Sequence, residues 1–461
     1  MNNKLAASLI VCGAWYILLF PGRLGFDAAE AIRMVQKGQS TDWWSALFFW
    51  FIKISTLGGK TIAVASLLQI ALLFYSCLEL IESLPFSTSV RRNTLLFFVS
   101  TPFFGFFGLG ISHDVFLTSG ILLLLSIEFR KLYPKESKKQ VHISRINHSV
   151  VALSLSMTKI GLAILFAWIL ISLLRKELIK ALAIAVSSIS ILLISSLGIS
   201  SQASGLYLWP AIADMKCIAQ HKQAEITPTQ WQWLESLANK EKWLSPISCS
   251  SMDSAVLFLG FDPNIDLEIN SDFVRNYVSI SMQNPAIVVM AHINRSRVAL
   301  PPPFFPVPQN QVDLDINKPI GDGTNIALQT GPEVLHPSID EPTMKVSKGL
   351  LVIPELILQG PTFIINQASW FWGWGGLWLW GIGYFLIRTL RPISIRRVTS
   401  AVWPILTLHL VLVCLAPNSL PRYVMPTIYC GMIFTVALIA DKLAKSQTYS
   451  ESERVRQFHT K

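Results

Sequence analysis

Charged residues are scarce in this chain: they make up 14% of its 461 residues, whereas hydrophobic residues make up 52%. That balance excludes an ordinary soluble globular protein, which needs a larger polar surface. The excess apolar surface must face lipid. Apolar runs long enough to cross a hydrocarbon core of roughly 30 Å recur along the chain. Because lipid offers no hydrogen bonds to a backbone, these runs must be helices.

Several chemical motifs are missing as well. The sequence has no Gly-rich loop of the Walker type, no G-x-G-x-x-G between a strand and a helix, and no His or Cys cluster with zinc spacing. Asp313, Asp315 and Asn317 have the spacing of a calcium loop, but Lys318 stands where that loop needs Gly. No cofactor is therefore evident, and the need for a divalent metal stays open.

Cysteine is also rare, with six residues in the chain. Four of them lie within apolar runs, where they serve as small hydrophobic side chains: Cys12, Cys77, Cys414 and Cys430. Cys217 and Cys249 lie in a long hydrophilic segment. If that segment is outside the cytoplasm they can form a disulfide, and two separate thiols are equally compatible with the sequence.

Positive charge is unevenly placed. Residues 200–366 carry 10 Lys or Arg against 16 Asp or Glu, although the whole chain has a net charge of +10. The excess of Lys and Arg lies in short connections between apolar runs, above all 130–147 and 388–397, which is typical of cytoplasmic loops. This placement argues against a folded basic face that binds nucleic acid.

These patterns predict an all-α polytopic membrane protein with about ten transmembrane helices and one large extracytoplasmic segment. The predicted spans are residues 5–22, 61–83, 94–111, 114–129, 149–158, 160–174, 179–199, 367–388, 398–416 and 422–441. Two short passes, broken near Lys159, keep the basic stretches on both sides of residues 149–174 in the cytoplasm. Both termini are then cytoplasmic, and the protein is placed in the cytoplasmic (inner) membrane.

The predicted domain organisation follows from these spans. Residues 1–199 form a transmembrane module with a first outward loop at 23–60, and residues 200–366 are extracytoplasmic. Residues 367–441 form the C-terminal spans and 442–461 a cytoplasmic tail. We expect helices along the membrane surface at 28–37 and 43–54. Further helices are expected at 227–242, 273–297 and 350–365. The prolines at 301–308 predict an extended arm, and the tryptophans at 370–380 predict an interfacial belt.

Seven ionisable residues lie close to the outward ends of the predicted spans: Asp27, Glu30, Asp42, His113, Asp114, Lys159 and Arg422. Each has an ordinary structural explanation. Asp27 and Glu30 have the spacing of a capping box, and Asp42 and Asp114 can cap helices in the same way. Arg422 can be an interfacial anchor and His113 a loop residue.

The functional interpretation rests on their combination. Carboxylates and a His supply a candidate general base, which takes a proton from an acceptor hydroxyl. Lys159 and Arg422 supply fixed positive charge for a phosphate, and Arg can bind it in a bidentate manner. A base and a phosphate clamp together suit the transfer of a group from a lipid-linked phosphate donor.

The order of these features resembles that of the multi-pass glycosyltransferases of the GT-C type, particularly the bacterial protein-mannosyltransferase-like and uncharacterised membrane-protein branches. The resemblance is carried by short stretches in the same order: Pro21-Gly22 to Asp27, Asp42-Trp43-Trp44-Ser45, Ser112-His113-Asp114-Val115-Phe116, Asn284-Pro285 with Asn294-Arg295, and Arg422-Tyr423 with Pro426. The chain departs from many relatives at His113, where they have Lys, and at Met157-Thr158-Lys159, where they have an Arg-His-Asn type pattern.

The resemblance implies that Asp27 acts as the base or orients the acceptor, with Glu30 or Asp114 positioning it. It also implies that Arg422 and Lys159 bind a polyprenyl-phosphate sugar donor, with His113 and Asp42 as further substrate-binding residues. The expected partners are this donor and membrane lipids. Two other classes stay open: a transporter or flippase with Lys159 and His113 along its path, and a structural partner in an envelope assembly that docks through residues 200–366.

Overall fold

The structure, a computed structural model, is helical almost throughout. It describes residues 3–20, 22–24, 26–38, 40–41, 45–133, 139–196, 201–202, 208–246, 271–296, 299–300, 375–390, 394–415 and 421–459, with single residues between 249 and 260. The predicted proline-rich arm, the calcium-like stretch, the helix at 350–365, Asp42 and most of the tryptophan belt lie outside these residues.

The first half of the chain forms ten helices: α1 (Asn3–Leu18), α2 (Phe26–Gln36), α3 (Ala46–Ser55), α4 (Ala63–Ser83), α5 (Thr88–Val99), α6 (Pro102–Leu109), α7 (His113–Leu132), α8 (Lys139–Ser156), α9 (Lys159–Leu174) and α10 (Leu178–Ser196). Four two-residue strands accompany them: β1 (Arg23–Leu24), β2 (Ser40–Thr41), β3 (Gly110–Ile111) and β4 (Ser201–Gln202). The predicted surface helices 28–37 and 43–54 therefore correspond to α2 and α3.

In the second half, the described residues form eight more helices: α11 (Trp209–Ala219), α12 (Pro228–Leu237), α13 (Lys240–Leu244), α14 (Ser271–Gln283), α15 (Pro285–Ser296), α16 (Gly375–Thr389), α17 (Ile395–Leu415) and α18 (Met425–His459). A 3₁₀ helix, Pro421–Val424, precedes α18. Helix α18 continues through most of the predicted tail.

Three helices in the described part of the chain are long and apolar enough to cross a membrane: Ala63–Ser83, Arg397–Cys414 and Met425–Gln447. Shorter apolar helices include α1 and α9. Large apolar side chains on α9 and α10 point outward, with Phe166 70% and Ile179 87% exposed. Such an apolar outer surface suits lipid. The chain is thus an all-α protein with membrane character, while the number of ten spans stays a prediction.

Helix α7 lies at the centre of the main core. All of its residues from Asp114 to Phe129 are buried, and helices α4, α8, α9, α17 and α18 pack around it. At its C-terminal end, Glu128 is paired with Arg175 at 2.8 Å, and Arg130 with Glu79 at 2.5 Å. These ion pairs fix the ends of α4, α7 and α9 against one another.

Three predicted helices are interrupted in the structure. The predicted span 94–111 is wrong as a continuous helix, because α5 ends at Val99 and α6 begins at Pro102, a residue type that is unfavourable inside a helix and favoured in its first turn. Likewise 273–297 divides at Pro285 into α14 and α15, and 227–242 divides after Leu237 into α12 and α13. Thr227 starts α12 with a capping box that includes Gln230.

Helices α11 to α15 surround a second, smaller core, in which Trp209, Trp243 and Ile280 are buried. The structure joins Cys217 of α11 to Cys249 in a disulfide with a Cα–Cα distance of 5.8 Å. Lys216 is fully buried beside this bond. Its Nζ donates to the carbonyl of Trp243 at 2.9 Å, and burial lowers its pKa to about 8.

The disulfide generates a first prediction. In intact cells, a membrane-impermeant maleimide should not label Cys249 until a reductant is added, whereas Cys217→Ser should make Cys249 reactive without reductant. Loss of the bond should lower the free energy of unfolding by about 2–4 kcal/mol, measured by denaturant unfolding in detergent. Cys12→Ser is the matched control. Labelling of Cys249 in the unreduced, unsubstituted protein would contradict the bond.

Candidate functional site

Two helix N-termini lie side by side at one end of the helical core. Strand β1 pairs with β3 in parallel, with Arg23 opposite Gly110 and Leu24 opposite Ile111. Helices α2 and α7 begin two residues after these strands. Parallel strands run in the same direction, so the chain enters both helices at the same end of the pair. The segments carrying Asp27 and Asp114 are therefore brought together.

Gly22 makes the approach of β1 to α4 possible. Its φ is +123°, and a Cβ atom at this position would lie 1.7 Å from the Oγ of Ser66. Glycine adopts this conformation without steric cost, and it has no side chain to clash with α4. The Pro21-Gly22 stretch of the sequence thus sets where the chain enters α2.

Asp27 and Glu30 lie in the first turns of α2. The helix begins at Phe26, so Asp27 lies inside it and not at the N-cap position. The capping-box explanation of this pair is therefore wrong, because the helix begins two residues before Ala28, where it would start if Asp27 were the N-cap. The side chains of both residues lie outside the described part of the structure.

His113 and Asp114 open α7. Asp114 is 1% exposed, and its Oδ2 accepts a hydrogen bond from the Ser112 hydroxyl at 3.1 Å. Nε2 of His113 lies 3.5 Å from Oδ1 of Asp114, and the imidazole ring contacts Phe48 edge-on. A carboxylate in the first turn of a helix is stabilised by the helix dipole.

Ser112, and not Asp114, caps α7. Its hydroxyl oxygen accepts from the backbone N–H of Asp114 at 3.1 Å, so the expected capping role of Asp114 is wrong. Ser112 is itself held by Gln69 of α4, which donates to the Ser112 carbonyl at 2.6 Å. Similarly, Ser45 caps α3 by accepting from the N–H of Phe48, so the structure gives the capping role expected of Asp42 to Ser45.

Lys159 is the first residue of α9, at the predicted break. Thr158 caps this helix by accepting from the N–H of Gly161 at 2.7 Å. The preceding Met157 is buried in an apolar cluster with Ile32 of α2 and Phe116 of α7. The side chain of Lys159 is exposed. The residue before Thr158 thus shares an apolar cluster with the middle of α2 and the start of α7.

Arg422 lies elsewhere on the same helical core, in the 3₁₀ helix before α18. Its side chain is outside the described part of the structure, and the described contacts do not connect it with the other candidate residues. Of the predicted residues, Asp27, Glu30, His113, Asp114 and Lys159 therefore share one region of the fold. The same elements also form the apolar cluster around Phe48 and Phe116.

A second polar cluster, not predicted from the sequence, lies inside the smaller core. Asp214 of α11 is fully buried and ion-paired with Arg295 of α15. Its Oδ2 also accepts from the Tyr277 hydroxyl at 2.9 Å and lies 3.2 Å from Nε2 of His292. The sequence shows His292 and Arg295 one helical turn apart, but no local pattern pairs them with Asp214.

The charges of this cluster support one another. Burial alone would raise the pKa of Asp214, but the hydrogen bond from His292 and the charge of Arg295 hold it below its ordinary value of 3.8. Burial and the neighbouring Asp214 carboxylate raise the pKa of Tyr277 to about 12. At neutral pH the cluster therefore contains an ionised Asp214 and a protonated Tyr277, which suits a fixed packing role.

Metal binding has no support in the described residues. No three His, Cys, Asp or Glu side chains among them lie close enough to hold a metal ion.

Comparisons with known proteins give one distant likeness. No family model matches the chain, and no curated protein matches it. The chain is similar to the crystal structure of ArnT from Cupriavidus metallidurans in the apo state, with 12% sequence identity, a TM-score of 0.31, and coverage of 94% of this chain and 75% of that one. At this TM-score the likeness defines neither the fold nor the activity of the present chain.

The buried cluster generates a second prediction. Asp214→Asn leaves the Arg295 charge buried without its ionic partner and should lower the free energy of unfolding by about 3–5 kcal/mol at neutral pH. The pKa of Asp214 is lowered by folding, so its stabilisation is complete above pH 3.8 and is lost as pH falls through the folded value. The deficit of the variant should therefore be smaller at pH 3 than at pH 7.

The measurement is unfolding of the full chain in detergent at several pH values, followed by tryptophan fluorescence. Asp272→Asn is the matched control, because Asp272 is an exposed carboxylate that is also paired with an arginine, Arg275. An equal deficit for Asp214→Asn at both pH values would show that its carboxylate does not titrate as inferred.

Proposed function

We propose that this chain is a membrane glycosyltransferase of the GT-C type, which transfers a sugar from a polyprenyl-phosphate-linked donor on the outer face of the cytoplasmic membrane. The observation that supports it most is the pairing of β1 with β3, which brings the N-termini of α2 and α7 together. Each of these helices carries a carboxylate in its first turn, in the stretches on which the sequence resemblance rests.

The acceptor side of the reaction is assigned to α2 and α7. Asp27 takes the proton from the acceptor hydroxyl as its oxygen attacks the anomeric carbon. Asp114, held by Ser112, and Glu30 orient this base, and His113 contacts the acceptor. Asp114 is buried and His113 is partly exposed, so His113 is the member of the pair that a substrate can reach.

Binding of the donor phosphate is assigned to two positively charged residues. Lys159 at the start of α9 and Arg422 before α18 bind the phosphate of the donor, with Asp42 as a further polar contact. As the new glycosidic bond forms, the bond between the anomeric carbon and the phosphate oxygen breaks, and the leaving polyprenyl phosphate keeps the electron pair. Lysine and arginine stabilise the charge that develops on this leaving group.

The outward direction of the site is supported by the two ends of α7. Its N-terminal end carries His113 and Asp114, while its C-terminal end carries Arg130 and Lys131, which adjoin the basic connection 130–147. Basic connections are retained in the cytoplasm. A site at the opposite end therefore faces the exterior, where nucleotide sugars are absent and a lipid-carried donor is the available kind.

The third prediction tests the base. Asp27→Asn should lower sugar transfer by about 10²- to 10⁴-fold, because an amide cannot accept the proton of the acceptor. Membranes containing the full chain would be incubated with tritiated polyprenyl-phosphate mannose and, separately, polyprenyl-phosphate glucose, and the labelled product counted. Transfer at the wild-type rate by Asp27→Asn would remove the mechanism.

Asp272→Asn serves as a matched carboxylate control, since Asp272 lies on α14 and takes no part in the proposed site.

Lys159→Gln should instead raise the KM for the donor more than it lowers kcat, because it removes a charge that holds the phosphate before and during transfer. Substrate movement across the membrane without product in every variant would favour a flippase and contradict the proposal.

A further inference from the structure

Helix α14 is apolar on two of its sides. One side, with Phe273 and Ile280, is buried in the smaller core. The second consists of Val274, Val278 and Met282, which are 46%, 46% and 76% exposed. Residues four apart lie above one another on a helix, so these three form one continuous stripe.

Helix α15 extends this apolar surface. Val289 and Met290 are 56% and 52% exposed, while Ala291 and Arg295 of the same helix are buried. The two helices form a hairpin around the break at Pro285 and pack against each other. We call the five exposed residues of the hairpin the apolar face: Val274, Val278, Met282, Val289 and Met290. Exposed apolar residues grouped on two neighbouring helices mark an interaction site more strongly than scattered single residues do.

The hairpin is attached to a membrane-spanning candidate. Helix α15 packs against α17, whose stretch Arg397–Cys414 is apolar and long enough to cross a membrane. Just beyond α15, the carbonyl of Ala299 lies 2.6 Å from Nδ1 of His409 in α17. Nδ1 must be the donor here, because a carbonyl can only accept. Nε2 of the neutral ring can then accept from the hydroxyl of Thr427, 2.8 Å away.

This attachment sets the level of the hairpin relative to the bilayer. His409 lies five residues before Cys414, which corresponds to about 7 Å along the helix axis at 1.5 Å per residue. Leu406 and Leu410, on either side of His409, are 48% and 65% exposed and thus face lipid on the outside of α17. The chain that leaves α15 therefore reaches the level of the apolar span itself.

We propose that the α14–α15 hairpin rests on the outer leaflet of the membrane and buries its apolar face at the boundary between headgroups and acyl chains. Arg275 follows the first residue of the stripe and is exposed. Its guanidinium is paired with the exposed Asp272 at 2.9 Å, and its remaining N–H groups are suited to lipid phosphates. The occupant of the apolar face is the lipid bilayer. This inference rests on the outward placement of residues 200–366 and is independent of the transfer chemistry.

The fourth prediction tests this contact in the full chain. Val278→Cys and Met290→Cys would be introduced separately into a Cys414→Ser background, which removes an exposed free thiol. Each would carry a nitroxide label in nanodiscs of phosphatidylethanolamine and phosphatidylglycerol. The ratio of oxygen accessibility to accessibility of a water-soluble nickel chelate should be at least about threefold higher at both positions than at Lys222→Cys, because oxygen partitions into lipid.

Two control positions give the accessibility ratios expected for a label in water and for a label in lipid. Lys222 is exposed on the same extracytoplasmic helical unit and gives the value for water, whereas Leu410→Cys gives the value for lipid. Met282→Cys repeats the measurement if either first variant fails to fold, and the Cys414→Ser background alone reports labelling of other thiols. A ratio equal to that of Lys222→Cys would overturn the proposal. Low accessibility to both reagents would also overturn it, since protein would then cover the apolar face.

Discussion

Two buried carboxylates at opposite ends of α7 constrain much of the fold. Asp114 is 1% exposed and Glu128 is 2% exposed, and a buried charge is stable only with hydrogen-bonding or ionic partners. At one end, Gln69 of α4 holds Ser112, which in turn binds Asp114. At the other end, Arg175 beyond α9 binds Glu128. Meeting these two requirements positions α4 and α9 along the central helix, and with them the elements of the candidate site.

Short strand pairs add a second constraint at the outward end. β1 pairs with β3, and β2 pairs in parallel with β4, with Ser40 opposite Ser201. Each pair joins segments that lie far apart in the sequence. β1, β2 and β4 belong to regions predicted to face outward, and β3 lies at the outward end of the predicted span 94–111. Paired strands lie on one side of the helical core by geometry, so the predicted sidedness of these segments is internally consistent.

The sequence predicted the elements whose signals are local. Helix α9 begins at Lys159, one residue before the predicted span 160–174, because the charged break and the apolar run after it are both visible in sequence. Thr158 caps the helix. The all-α character followed from the apolar runs. Two of the helix interruptions occur at prolines, Pro102 and Pro285. A prediction based on apolar runs alone does not take these prolines into account.

What could not be predicted depends on contacts between distant residues. Helix α11 was missed because Asp214 and Lys216 make its sequence look hydrophilic, yet both are fully buried. Their partners, Arg295 and the Trp243 carbonyl, are 81 and 27 residues away. The caps were misassigned for a similar reason: Ser112 takes that role in preference to Asp114, and its position is set by Gln69, which lies 43 residues earlier. The convergence of α2 and α7 likewise depends on strand pairing that no periodicity reveals.

The smaller core is apolar inside but also buries charged residues and exposes apolar ones, and the proposed membrane contact gives the exposed apolar residues a physical basis. Asp214, Lys216 and Arg295 are inside, whereas Val278 and Met290 are outside. In water alone the exposed apolar groups would be unfavourable, and the buried charges are stable only because they are paired or hydrogen-bonded. Against a bilayer, the same apolar groups leave water. The His409 contact with Ala299 links this unit to α17, so the proposed membrane contact of the unit and the position of that apolar helix are coupled.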